Sequence, residues 1–83
     1  MGERPGELAA LVRAARGRRG WSRVALAARA GVDEDTIRQL EGDRTGHPTY
    51  RTLLRLAGAL GLSVEHLEAA AARDAAGMEG RDG

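Results

Sequence analysis

Cysteine is absent from this 83-residue chain, which excludes disulfides, thiolate metal sites and cysteine nucleophiles. Phenylalanine and lysine are absent too, and a single Trp and a single Tyr make up the aromatics. A β-sheet, which draws on aromatic and β-branched residues, is poorly supplied by such a chain. No apolar run comes near the ~18 residues of a membrane span. The N-terminal MGERPGELAA lacks the apolar core of a signal peptide, so a soluble, cytoplasmic setting without membrane contact is expected. What the chain has in quantity is 16 Ala and 10 Leu, a helix-forming inventory, and at this length it makes one small domain.

The net charge of +1 points to no partner, but its distribution is uneven. Residues 1–32 hold seven Arg against two Glu, residues 33–62 four Arg against five acids, and residues 63–83 two Arg against five acids. The basic surplus sits in the first third. That every cation is Arg fits GC-rich codon usage alongside abundant Ala and Gly.

Apolar residues keep helical spacing in five short blocks. Leu8, Leu11, Val12 and Ala15 form an i, i+3, i+4, i+7 stripe, ended by Gly17 and Gly20. Ser22 is a good N-cap for a second block burying Leu26, Ala27 and Ala30, which stops at Gly31. Asp33 caps a third, with Ile37 and Leu40 inward. A loop runs to Pro48. Leu53, Leu56, Ala57 and Leu60 repeat the first stripe, and Ser63 opens a fifth block with Val64, Leu67 and Ala69–Ala72. The expected fold is a compact all-α, five-helix domain over residues 7–73, with flexible ends at 1–6 and 74–83.

The stretch from Arg23 to Glu41 has the constraints of a helix-turn-helix. Ala27 is small where two helices approach closest, and Gly31 lets the chain reverse. Val32 packs the corner, and Ile37 and Leu40 return to the same core. With these residues in place, the chain resembles the phage repressor/Cro-like, or XRE-type, helix-turn-helix domains. The resemblance runs from about Leu8 to Leu67 and includes Arg16 with Gly20-Trp21-Ser22, then Leu26-Ala27, Gly31-Val32, Ile37 and Leu40-Glu41. It continues through Pro48, Leu53, Leu56-Ala57 and Ala59-Leu60-Gly61.

That resemblance implies a lambda-repressor-like fold whose 34–41 helix enters the major groove of double-stranded DNA. It implies an ion pair between Arg16 and Glu41. It also implies that Glu34, Asp35 and Gln39 are turned to base edges, with Asp33 and Thr36 at the margin. Gln39 suits adenine and Arg38 suits guanine or a phosphate. Backbone contacts are expected from Ser22 and Arg23 at the start of the second helix, where the family frequently has Gln. Arg44, His47 and Thr49 around the following loop complete that set. The departure from the family is Asp33-Glu34-Asp35, three acids where a polyanion should lie. Acids in a first turn also simply favour the helix dipole, and a carboxylate can accept from cytosine N4.

Several residues have ordinary readings. His47 and His66 lack ligand partners at helical spacing, so no metal is implied. No base accompanies the carboxylates, so neither an enzyme nor a cofactor is implied. Trp21 is expected in the core between the first two helices. Tyr50 either starts the fourth helix or stays a contact residue, and Val24 is either a scattered surface residue or part of a patch.

The reading is a small bacterial DNA-binding regulator, a repressor or antitoxin-like protein. It is expected to act as a homodimer through a surface around Leu62, Val64 and Ala69–Ala72. Its rival is a protein-interaction module on the same fold, with the acidic turn serving a basic partner.

Overall fold

The computed structural model describes residues 6–42 and 48–80. Five helices follow in order: α1 (Glu7–Arg19), α2 (Arg23–Ala30), α3 (Glu34–Gly42), α4 (Tyr50–Leu60) and α5 (Val64–Gly80). Among the described residues there is no strand.

The helix ends follow from local chemistry. Ser22 Oγ accepts from Ala25 N–H at 3.0 Å, and Thr49 Oγ1 accepts from Thr52 N–H at 3.1 Å. Each hydroxyl thereby satisfies one of the amides that a first turn leaves without a carbonyl. Ser63 does the same for His66 at 3.3 Å. The turn between α2 and α3 depends on Gly31, which sits at φ 74° with its N–H bonded to the Ala27 carbonyl. A side chain there would be strained by the left-handed backbone and would also meet Arg55 Nη1 at 3.3 Å. That guanidinium donates to the Gly31 carbonyl at 2.8 Å, tying the turn to α4.

The core is aliphatic: Val12, Leu26, Ile37, Leu56 and Leu67 are its largest fully buried members. α1 packs on both α3 and α5, while α4 packs on α2 and α5. The two-sided contact widens the buried strip of α1, so Ala9 is buried and Leu11 only half-buried at its edge. Leu40 is likewise half-buried.

Three expectations need correction. The 74–83 tail was expected to leave the domain at residue 74, yet α5 continues to Gly80. Asp74 is the reason it docks. Its carboxylate accepts from the amides of Glu7 at 2.8 Å and Leu8 at 3.2 Å, supplying the cap that Gly6 has no side chain to provide. A Cβ on Gly6 would fall 2.8 Å from Asp74 Oδ2, so a side chain there would push the capping carboxylate aside. Arg73 Nε adds a 2.7 Å bond to Glu7 Oε1.

Trp21 packs against the core at its edge, half-buried, rather than lying within it. Its ring lies beneath two guanidinium groups, Arg29 at 4.5 Å and Arg19 at 5.1 Å from the centroid. The surface expected to pair two copies is partly taken up within the protomer. Ala70 is fully buried, and Leu62, Val64 and Ala71 pack on the chain's own core. Ala69 and Ala72 stay exposed.

Candidate nucleic-acid interface

α3 is held by one face and shows the other. Ile37 is fully buried, and Glu41 follows one turn later with 5% of its surface exposed. A carboxylate at that depth needs partners. Arg16 supplies a bidentate pair, with Nε 2.8 Å from Oε2 and Nη2 2.9 Å from Oε1. Arg16 Nη1 donates in addition to the Trp21 carbonyl at 3.0 Å. The bonds to Glu41 raise the Arg16 guanidinium above its ordinary pKa, against the opposing pull of desolvation. A second arginine shares the carboxylate: Arg23 Nε lies 3.4 Å from Oε1, with its side chain 45% exposed. Glu41 thus links the end of α3 to both α1 and the first residue of α2.

The outward face carries a second polar network. Arg38 Nη1 donates to Asp35 Oδ1 at 3.1 Å, and Nη2 reaches Glu34 Oε2 at 3.5 Å. Gln39 Nε2 donates to Asp35 Oδ2 at 3.0 Å. Asp35, Arg38 and Gln39 are exposed and Glu34 is half-buried. Asp33 is exposed at the start of the helix, where its carbonyl accepts from Thr36 N–H at 3.0 Å, and Thr36 is half-buried. Beside this face an open depression is lined by Arg16, Ser22, Arg23, Val24 and Glu34. It joins the start of α2 to the start of α3.

Helices α2 and α3, joined through the tight Gly31 turn and exposing one polar face, are the geometry of a helix-turn-helix. A family model described as a helix-turn-helix domain matches residues 7–70. The chain belongs to the helix-turn-helix domain family.

Solved helix-turn-helix structures are similar to it over most of its length. The N-terminal DNA-binding domain of SinR from Bacillus subtilis is 25% identical, with a TM-score of 0.69. The match covers 72% of this chain and 87% of that one. SinR, the master regulator for biofilm formation, in complex with DNA, gives 25% identity and a TM-score of 0.68, covering 72% and 95% of the two chains. A hypothetical transcription factor from Neisseria, NHTF, gives 29% identity and a TM-score of 0.69, covering 81% of each. No curated protein matches.

Within this helix-turn-helix domain, the expected contact residues fall into three groups. Asp33, Glu34, Asp35, Thr36, Arg38 and Gln39 lie together on or beside the open side of α3. Ser22 and Arg23 sit at the start of α2, next to them. Thr49 is exposed at the start of α4, its hydroxyl occupied with Thr52. Arg44 and His47 lie outside the described residues. Sequence reasoning missed the second arginine on Glu41 and the pairing of Asp35 with both Arg38 and Gln39. The latter had a visible signal, because positions 34, 35, 38 and 39 stand at i, i+3 and i, i+4 spacing.

Proposed function

We propose that this helix-turn-helix protein is a DNA-binding transcriptional regulator that lays α3 in the major groove of double-stranded DNA. The observation that carries the reading is the one-sided fixing of α3. Its inner face is fastened by Ile37 and the Arg16–Glu41 pair, and its outer face offers exposed Arg38, Gln39 and Asp35. Hydrogen-bonding side chains on a rigid helix are what base-edge readout requires. The likeness to SinR, solved in complex with DNA, supports it further.

In this reading Asp33, Glu34 and Thr36 flank the base-reading set. Ser22, Arg23, Thr49 and the Arg44–His47 segment meet the sugar-phosphate chain. Arg23 is well placed for that role. Its Nε faces Glu41, and among the described residues its terminal nitrogens have no partner, which suits them to an outside anion. Two copies on a two-fold operator, with half-sites about one helical turn apart, complete the proposal and place the protein on DNA in the cytoplasm. A basic protein partner for the acidic turn is less favoured, because Arg38 stands among the acids of the same face and offsets their charge.

Binding to a mixed-sequence duplex across a salt series tests the proposal. Affinity should fall linearly in log[salt], with a slope of about −0.9 per phosphate neutralised. Arg23→Ala should weaken every duplex alike and reduce that slope by about 1. Absence of binding at low salt would refute the reading.

A further inference from the structure

The face of α3 that the proposed function turns toward DNA is already bonded to itself. Asp35 is the hub, with Oδ1 taken by Arg38 at 3.1 Å and Oδ2 by Gln39 at 3.0 Å. Glu34 contributes one longer contact to Arg38, at 3.5 Å. The helix therefore carries two donor side chains suited to bases, and one carboxylate holds both. The side chains of Asp35 and Arg38 are 63% and 54% exposed, so a ligand can reach the network.

We propose that Asp35 is a specificity-determining residue: it withholds Arg38 and Gln39 from phosphates and releases them only to base edges that satisfy its own carboxylate. This rests on the DNA-binding reading above. What each ligand can give back decides which one Asp35 admits. Phosphate oxygens only accept hydrogen bonds. If Arg38 moves onto a phosphate, it trades one anion for another and leaves Asp35 stripped of a donor beside a polyanion. Binding of that kind gains little.

A base edge can do both jobs. Guanine presents N7 and O6 as acceptors for Arg38, and the cytosine amino group of the same or a neighbouring pair presents a donor for Asp35. At such a C·G step each group that loses an internal partner finds another. Gln39 gains from the same arrangement. Its amide nitrogen points at Asp35, so its oxygen is left as an acceptor for an amino group of adenine or cytosine. Asp35 thus imposes a penalty on the backbone that the right bases remove, and discrimination of this kind is a difference of two affinities.

The contrast with Arg23 supports the assignment. Arg23 is tethered through Nε to Glu41, a carboxylate that is 2% exposed in its side chain and faces the interior. Arg38 is tethered to a carboxylate standing on the reading face itself.

The test uses the full chain, a duplex obtained by unbiased selection with the wild type, and a mixed-sequence duplex. Asp35→Asn keeps the size of the side chain and removes the charge. A thermal melt close to wild type confirms the fold, and Asp35→Ala serves as a second variant. Both variants should bind the mixed duplex severalfold more tightly, with a salt slope steeper by about 0.9 as Arg38 gains a phosphate. Affinity for the selected duplex should hold or fall, so the ratio of the two drops by about tenfold. The selected sequences should place a C·G pair under this part of α3. Equal tightening on both duplexes would make Asp35 a mere repelling charge and overturn the proposal, as would no change on either. A wild type that binds no duplex at low salt fails earlier, and removes the underlying reading with it.

Discussion

Two arginine–carboxylate networks lie on opposite sides of α3, and their depth separates their roles. On the inner side Glu41 is buried and shared by Arg16 and Arg23. On the outer side Asp35 and Glu34 meet Arg38 in water. The chemistry is the same and the distances overlap. Burial makes the first costly to break, because the Glu41 carboxylate has no solvent to turn to and Arg16 has little. Exposure makes the second cheap to rearrange in the free protein, because water replaces any partner lost until a ligand covers that face. A helix with both can be fixed by one face and still readable on the other.

Removing Glu41 should therefore give the largest effect. Glu41→Ala leaves Arg16, 20% exposed, facing Arg23 without the carboxylate between them. The expected loss is about 3 kcal/mol, a large share of what a domain of this size has. Urea denaturation followed by circular dichroism should find the variant with about 2 kcal/mol or less remaining, its midpoint shifted far toward zero denaturant. The arginine side of this pair is no pH switch. The folded-state pKa of Arg16 is raised by its bond to Glu41, so its contribution is fully present below the ordinary value and is lost only as pH climbs through the raised one.

Asp74 is an intermediate case: a half-buried carboxylate whose partners are backbone amides rather than a cation. Asp74→Ala should cost about 1 kcal/mol, the usual worth of an N-cap, and loosen the contact between α5 and α1. Hydrogen exchange at the amides of Glu7 and Leu8 is the local reading. If it quickens while the melting temperature hardly moves, the cap is a local fastening and the two-helix contact stands without it.

The interior was legible in the sequence because periodicity reports burial. Leu26, Ala27, Ile37, Leu56 and Leu60 fall where spacing put them, and Gly20, Gly31 and Gly61 end their helices at positive φ. The end of α5 was not legible. Composition weighs Gly77 and Gly80 against a helix, and the bond that fastens Asp74 to α1 reaches residues nearly seventy positions away. Local propensity has no access to that distance. The open side of α3 was partly legible, since the buried stripe dictates which residues remain outside. Which of those residues hold one another required geometry, because surface partners at i+3 and i+4 compete with water. The same limit applied to Arg23, whose link to Glu41 crosses from one helix to another.

The smallest effect on stability should come from Arg38→Ala, and it separates the two networks most sharply. Its contacts to Asp35 and Glu34 are solvent-exposed pairs on one helix, worth a few tenths of a kcal/mol each. The urea midpoint should therefore stay within about 0.5 kcal/mol of wild type. Affinity for a selected duplex should nevertheless fall by about 1–3 kcal/mol, as expected for loss of a base-reading arginine. A variant destabilised as heavily as Glu41→Ala would mean that the outer network also holds the fold together, and depth would no longer explain the division. A variant unchanged in both stability and DNA affinity would leave the ion pairs of that face without a role in recognition, and would move the reading of bases to Gln39 and its neighbours in the first turn.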